Sequence, residues 1–279
     1  ILDLVINYPQ AGQSFSTVRS VQPGGNAAAA GLQSGDTILS VNGIQLTNDI
    51  QYRNYLRSLR PGKNATLVLR KAGMVKTLSL LTNNRIPEQY PGIEVIYDQV
   101  KTPKGYSVRT ILTKPATSGK LPVIVFMQSL SCNSIEINAD SNRRGGDTRV
   151  LAALIEHSGY MVARTEKPGM GDSEGNDCAD CSFTDEVAAH EATIRYLKKR
   201  NDVDTNRIYF FGSSMGAAIA PLLAHQHNAA GLIVTGGFIK NWYEHMLEFE
   251  RRRLLLSGNA PGDANKTVAD FALFYTEYL

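Results

Sequence analysis

The first 82 residues alternate apolar and polar positions over short distances. The stretches FSTVRSV, DTILSVNG, ATLVLRK and VKTLSLL place β-branched residues between turn residues, which is typical of short β-strands. One stretch, DIQYRNYLRSL, instead has helical spacing, with Asn48 or Asp49 available as its N-cap. The residues available for its buried side are Ile50, Tyr52, Tyr55, Leu56 and Leu59. This pattern predicts a small, partly open β-barrel with one or two helices.

The remainder of the chain alternates strand-like and helical stretches. VRTILTK, PVIVFMQ, YMVARTE, RIYFFG and GLIVTGG resemble strands, whereas TRVLAALIEHSG, FTDEVAAHEATIRYLKKR and MGAAIAPLLAHQ resemble helices, the second with Thr184 or Asp185 as its cap. Repeated β-α-β units predict a mostly parallel sheet with helices on both faces. Prolines and a glycine in TNNRIPEQYPG mark the boundary, so we expect domains at 1–82 and 93–279 with a linker at 83–92.

The best-marked candidate for chemistry is the motif Gly212-Ser213-Ser214-Met215-Gly216, which lies between a strand and a helix. A G-x-S-x-G turn in this context presents its serine above the sheet, while the glycines let the strand and helix cross closely. Ser214 is therefore a candidate nucleophile, and the Met215 amide is a candidate donor to an oxyanion. The alternative is a turn of small residues selected only for packing.

Two resemblances follow from these residues. SVQPGGNAAAAGLQSGDTILSVNG resembles the core of a PDZ domain over residues 1 to about 82. The resemblance implies that Gly12, Gln13, Ser14 and Phe15 form a carboxylate-binding loop, and that a peptide adds a strand beside FSTVRSV. The alternative role is an arm that packs against its neighbour.

Residues 92–279 resemble the α/β-hydrolase family through PVIVFMQSLSC, TEKPGMGDSEG and FGSSMG. The resemblance implies a serine hydrolase, with Ser129 or Leu130 as the second oxyanion donor beside Met215. Ser129 is also a minor alternative nucleophile. Asp172 and Glu174, in the loop at 168–175, are expected to brace that loop rather than to catalyse.

The histidine and acid of a catalytic triad are harder to find. In this fold they follow the serine in the chain, but none of the five histidines is well placed. His245 lies in a helical stretch within a lid region at about 240–279, and the expected strands after GLIVTGG are missing. The resemblance therefore implies a fragment that ends before the acid and base, and the absence of an initial Met suggests trimming at the start.

Charge and cysteine content restrict the partners. The net charge is +3, divided as +5 over residues 1–82 and −2 over the rest, without the basic and aromatic clusters of a nucleic-acid site. No apolar run is long enough for a membrane span.

Three cysteines exclude a disulfide scaffold, and neither a metal nor a cofactor is expected. Cys132 and the Cys178/Cys181 pair should lie at one end of the sheet, where one disulfide from Cys132 is possible. An extracytoplasmic location is expected from the PDZ type.

The expected function is hydrolysis of an ester or thioester through an acyl-enzyme. Aromatic residues after the last predicted strand are sufficient to roof an apolar pocket. A peptidase acting on short peptides is the second reading. The third is a non-catalytic PDZ binding protein with a hydrolase-like scaffold.

Overall fold

The computed structural model describes residues 2–7, 15–48, 51, 55, 59, 62–71, 73–82, 87–132, 134–137, 147–176 and 178–278. The chain divides into two compact units, Ile1–Glu88 and Gln89–Leu279. The division falls within the proline-containing stretch at 82–92.

The first unit is built around one antiparallel sheet. The four strands expected from the alternation are present, together with short strands that the sequence pattern did not indicate. The elements are β1 (Leu4–Ile6), β2 (Ser16–Val21), α1 (Asn26–Ala29), β3 (Thr37–Val41), β4 (Ile44–Gln45), β5 (Asn64–Lys71) and β6 (Met74–Leu81). The strand order is β1-β2-β3-β5-β6, with β4 paired to β3.

Period-two alternation builds the core of this unit. In β5 the side chains of Ala65, Leu67 and Leu69 are buried and alternate with more exposed neighbours. Tyr55 and Leu59, from the predicted helix, join the same core. Asn48 Oδ1 accepts a hydrogen bond from Gln51 N at 2.9 Å, as a cap at that position requires. Asp49, Ile50, Tyr52 and Leu56 lie outside the described residues.

The second unit has a central sheet with helices on both faces. Its elements are β7 (Ile93–Lys101), β8 (Ser107–Pro115), β9 (Leu121–Met127), α2 (Asp147–His157), β10 (Met161–Thr165), α3 (Phe183–Leu197), β11 (Val203–Ser213), α4 (Gly216–His227), β12 (Gly231–Thr235), α5 (Trp242–Leu256) and α6 (Pro261–Tyr278). Val125 and Met127 pack with the core that includes residues of α3 and α4, whereas Ile124 and Phe126 pack with the core that includes residues of α2.

The sheet order is β12-β11-β9-β10-β8-β7. The pairs β10–β9, β9–β11 and β11–β12 are parallel, whereas the pairs β10–β8 and β8–β7 are antiparallel. The predicted parallel character thus holds for four of the six described strands, and β7 was not anticipated. The carboxyl ends of β9, β10, β11 and β12 meet at one edge, where ligands bind in such sheets.

The start of α3 corrects the expected cap. Its N-cap is Ser182, not Thr184 or Asp185, because Ser182 has extended backbone angles and closes a capping box with Asp185. Asp185 acts three residues further on, and its carboxylate accepts the Ser182 amide at 3.1 Å. A hydrogen bond from Lys104, followed by one from the Ser182 hydroxyl at 2.6 Å, lowers the pKa of Asp185 to about 2.

The region expected to form a lid consists of α5 and α6. Asn241 caps α5 by accepting the Glu244 amide at 2.9 Å. The two helices meet through aromatic contacts such as Tyr243 with Tyr275. Several apolar side chains remain exposed on them, including Phe249, Leu256, Leu273 and Phe274.

We predict that Gly216→Ala destabilises the second unit. An added Cβ would overlap the main chain of Met127, whose carbonyl carbon would lie 2.6 Å away. Overpacking of this kind costs about 1–3 kcal/mol of unfolding free energy. Urea unfolding followed by the fluorescence of Trp242, the only tryptophan in the chain, measures the change.

The matched control is Gly262→Ala at the start of α6, where an added Cβ would meet no atom within 4 Å. Its stability should be unchanged or raised by about 0.5–1 kcal/mol. Equal unfolding midpoints for Gly216→Ala and the unmodified protein would contradict the proposed close packing.

Candidate active site

Ser214 occupies a strained turn between β11 and α4. Its backbone has φ +52°, a left-handed conformation that residues with a Cβ rarely adopt. The Ser214 amide donates to the Thr235 carbonyl at 2.9 Å, which fixes the turn to the end of β12. The side chain is exposed. The geometry is that of a nucleophile elbow, in which the hydroxyl stands above the carboxyl edge of the sheet.

The two glycines of the motif permit this turn. A Cβ on Gly212 would overlap the Gly216 carbonyl group, and one on Gly216 would overlap that of Met127. Gly237 adds a third close approach, since its Cβ would lie 2.9 Å from that of Ala217. The start of α4 is therefore held directly against the ends of β9 and β11.

The start of α4 carries Met215, whose amide is the predicted oxyanion donor. The amides of Gly216, Ala217 and Ala218 donate to the carbonyls of Gln128, Ser214 and Met215. The Met215 amide precedes them at the positive end of the helix dipole. This position suits an amide that stabilises negative charge beside the Ser214 hydroxyl.

The segment that follows β9, residues 128–132, contains Ser129 and Leu130 and is called the oxyanion loop below. Asp147, at the start of α2, joins this loop to the elbow. Its carboxylate accepts the Ser129 amide at 2.9 Å and the Ser213 hydroxyl at 2.7 Å. The Ser129 amide is therefore engaged in this structure, and Leu130 remains the candidate of the predicted pair. The sequence analysis missed Asp147, because an acid in the first turn of a helix is an ordinary stabiliser of the helix dipole.

Buried charges brace the neighbouring loop after β10. Arg109 Nη2 lies 2.8 Å from Glu166 Oε2 and 3.0 Å from Glu136 Oε2, and its Nη1 lies 3.5 Å from Asp172. Burial alone would lower the pKa of Arg109, but the two nearest carboxylates outweigh it and raise the pKa. Glu174 accepts the Ser107 amide at 2.8 Å. The bracing expected of Asp172 and Glu174 is thus confirmed.

A disulfide joins Cys132 to Cys178, with their Cα atoms 5.9 Å apart. The bridge that the sequence left possible for Cys132 is therefore present, and Cys181 is a free, half-buried thiol. The bridge connects the oxyanion loop after β9 to the loop after β10.

All five histidines lie in the described part of the chain, and none is hydrogen-bonded there to Ser214. His190 is buried in α3, and burial, aided by the charge of Lys167, lowers its pKa to about 3. His157 ends α2, and His225 and His227 lie in the last turn of α4. His245, in α5, stacks on Phe238 with ring centroids 4.7 Å apart. In the described part of the chain, none of the five histidines is therefore placed to accept the Ser214 proton.

The first unit corrects the predicted peptide groove. β2 is paired with β1 on one side and with β3 on the other. The prediction that a peptide adds a strand beside FSTVRSV is therefore wrong, because both edges of β2 are already paired. Among the described strands, β1 is the edge strand next to β2. Phe15 is partly buried just before β2, while Gly12, Gln13 and Ser14 lie outside the described residues.

Two further kinds of site are absent from the described ranges. The described residues contain no group of three or more His, Cys, Asp or Glu side chains that could hold a metal ion. Within the same ranges, every helix is too short or too polar to cross a membrane.

Comparison with protein families agrees with the division of the chain into two units. Residues 17–71 match a PDZ domain model, and residues 104–271 match the model of X-Pro dipeptidyl-peptidase, the S15 family. The first unit thus contains a PDZ domain, and the second contains an α/β-hydrolase-type domain.

Individual relatives are similar over parts of the chain. Regulator of sigma-E protease RseP of Escherichia coli is 36% identical over 84 residues, which are 30% of this chain and 17% of that protein. An uncharacterised protein of Mycobacterium tuberculosis is 33% identical over 100 residues, which are 35% of this chain and 34% of that protein. The chain thus spans about a third or less of these relatives. The structure of esterase Est22 is 19% identical, with a TM-score of 0.42 over 53% of this chain and 45% of that one.

We predict one free thiol in the denatured, unreduced protein, that of Cys181. The Cys178→Ser variant should have two, because Cys132 loses its partner. Thiol titration with Ellman's reagent gives the counts. Three free thiols in the unmodified protein would exclude the bridge.

In the folded protein we expect the Cys181 thiol to react slowly. Burial, together with the charges of Glu186 and Asp185, raises its pKa from 9.0 to about 11. Because only the thiolate is nucleophilic, its population near neutral pH falls about a hundredfold, and alkylation by iodoacetamide should accelerate as the pH rises towards that value. Equal alkylation rates for folded and denatured protein at neutral pH would contradict this.

Proposed function

Since this chain belongs to the X-Pro dipeptidyl-peptidase (S15) family, we propose that it is a hydrolase in which Ser214 attacks the acyl carbon of an ester or thioester. The observation that carries this proposal is the left-handed turn of Ser214 at the start of α4, with its side chain exposed. A strained backbone in this position is retained where function requires the hydroxyl to be presented.

The proposed reaction has two stages. The Ser214 hydroxyl adds to the carbonyl carbon and passes its proton to a general base, while the Met215 amide stabilises the oxyanion. Collapse of this intermediate expels the alcohol or thiol and leaves an acyl group on Ser214. Water then repeats the sequence, releases the acid and restores the serine.

We propose that none of the five histidines, in its present position, is the general base for Ser214. The base and the acid that orients it are then supplied by another part of the protein. Support comes from β12, the edge strand of the sheet among the described strands. Its residues Leu232, Ile233 and Val234 are 42%, 52% and 49% exposed, although such side chains are usually covered. A further parallel strand beside β12 would place its carboxyl end at the same edge as Ser214.

A peptide substrate is the second candidate. The family match over residues 104–271 favours it, because that family is named for a dipeptidyl-peptidase. Attack on an amide follows the same steps, with an amine as the leaving group. A PDZ module on the same chain is suited to recruiting peptides.

We further propose that the PDZ domain binds an extended peptide by its free C-terminus, and that the peptide adds beside the edge strand β1. The net charge of +5 over residues 1–82 favours an anionic partner. The Cys132–Cys178 bridge supports an oxidising, extracytoplasmic location for the chain.

A fluorophosphonate probe tests the nucleophile. We expect covalent labelling of the protein, detected by mass spectrometry, and its complete loss in Ser214→Ala. Ser131→Ala is the matched control, because it removes an exposed hydroxyl from the oxyanion loop and should retain labelling.

Two outcomes would contradict this assignment. Labelling that survives in Ser214→Ala but is lost in Ser129→Ala would move the nucleophile to the oxyanion loop. No labelling of the full-length protein would favour the non-catalytic scaffold.

Paired peptides test the PDZ proposal. A peptide with a free C-terminus should bind more tightly than its amidated form, by about tenfold, because converging backbone amides recognise the carboxylate. Isothermal titration calorimetry with both forms measures this. Equal affinities would refute recognition of the carboxylate.

A further inference from the structure

A pocket of about 360 Å³ lies where the chain leaves β12 and enters α5. One wall is the segment Gly237 to Lys240, and the other is one face of α5. The residues of α5 that line it are His245, Glu248, Phe249 and Arg252. None of them belongs to the catalytic groups described above.

The pocket adjoins the candidate nucleophile. Thr235, the last residue of β12, accepts the Ser214 amide at 2.9 Å. Two residues later, Gly237 contacts the first turn of α4 so closely that an added Cβ would lie 2.9 Å from the Ala217 Cβ. Gly237, which lines the pocket, therefore lies against the helix that begins just after Ser214.

The helix face that lines the pocket has an unusual chemistry. Positions 245, 248, 249 and 252 have the i, i+3, i+4, i+7 spacing of residues that usually form an aliphatic stripe. Here the stripe carries an imidazole, a carboxylate, a phenyl ring and a guanidinium. Phe238 faces it and stacks on His245, while Phe249 is 54% exposed. This combination suits a ligand with both an apolar and a charged part.

The charges of the pocket leave one cation available. Lys240 Nζ lies 3.1 Å from Glu248 Oε2, so these two charges compensate each other. Arg252 interacts with Glu248 only through longer-range electrostatics, and among the described residues it has no hydrogen-bond or salt-bridge partner. Two side-chain cations, Lys240 and Arg252, thus line the pocket together with one carboxylate, Glu248, which leaves an excess of positive charge at Arg252.

We propose that this pocket binds an aromatic or apolar carboxylate, with its apolar part against Phe238 and Phe249 and its carboxylate on Arg252. As the acyl subsite of the reaction it rests on the function proposed for Ser214. In that role, the pocket restricts the substrate to esters, thioesters or peptides that carry a carboxylate in the acyl part. Binding of a carboxylate to the pocket can be tested independently of the reaction.

Trp242 provides a direct readout of binding. It is the only tryptophan, and its ring centroid lies 5.5 Å from that of Phe238 and 5.9 Å from that of His245. Titration with phenylacetate should give a saturable change in fluorescence. Phenylacetamide, which is similar in shape but neutral, should bind about fivefold more weakly or worse.

Two variants test the role of the guanidinium. Arg252→Gln should remove the preference for phenylacetate, while Arg251→Gln should retain it. Arg251 is the matched control, because it is an exposed arginine next to Arg252 that does not line the pocket.

Three results would overturn the proposal: no saturable change with phenylacetate, equal affinity for the acid and the amide, or an unchanged preference in Arg252→Gln. Labelling of the same preparations with fluorophosphonate separates this proposal from the proposed function. Binding without labelling would refute the role of Ser214 alone, and labelling without binding would refute the pocket alone.

Discussion

The contact between the start of α4 and the main chain of β9 is the constraint on which the candidate site depends. Gly216 has no room for a side chain against Met127, and Gly212 has none against Gly216. The strand and helix can approach this closely only if the residue between them turns sharply, and Ser214 adopts the left-handed backbone that results. The exposed hydroxyl and the adjacent Met215 amide both follow from this packing.

Polar and covalent connections extend that rigidity into the surrounding loops. Asp147 holds Ser129 and Ser213 together, and Arg109 fixes Glu136 and Glu166 with side chains that are 4%, 7% and 0% exposed. A buried arginine that compensates two carboxylates is costly to disturb, because removing it would leave uncompensated charge. The loops after β9 and β10 are thus positioned by these polar contacts and by the Cys132–Cys178 bridge.

Local patterns in the sequence were sufficient for the elbow, for the longer helices and for the strands other than β1, β4 and β7, because alternation and glycine spacing report directly on burial and close approach. They failed where a feature depends on distant residues. β1 is three residues long and has no alternation to detect, so the sequence analysis placed the peptide beside β2. Ser182 was missed as the cap of α3 because neighbouring hydroxyl and carboxylate residues offer the same chemistry. The role of Asp147 arises only when α2 packs beside β9 and β11.

The Cys132–Cys178 bridge also acts on the chain before it folds. It closes a segment with a sequence separation of 46 that contains α2 and β10. Closing a loop of this length lowers the conformational entropy of the unfolded chain by the equivalent of about 4 kcal/mol at room temperature. That amount is a large part of the net stability of an ordinary domain. Order in the loops around Ser214 is thereby coupled to the thiol–disulfide balance of the compartment in which the chain folds.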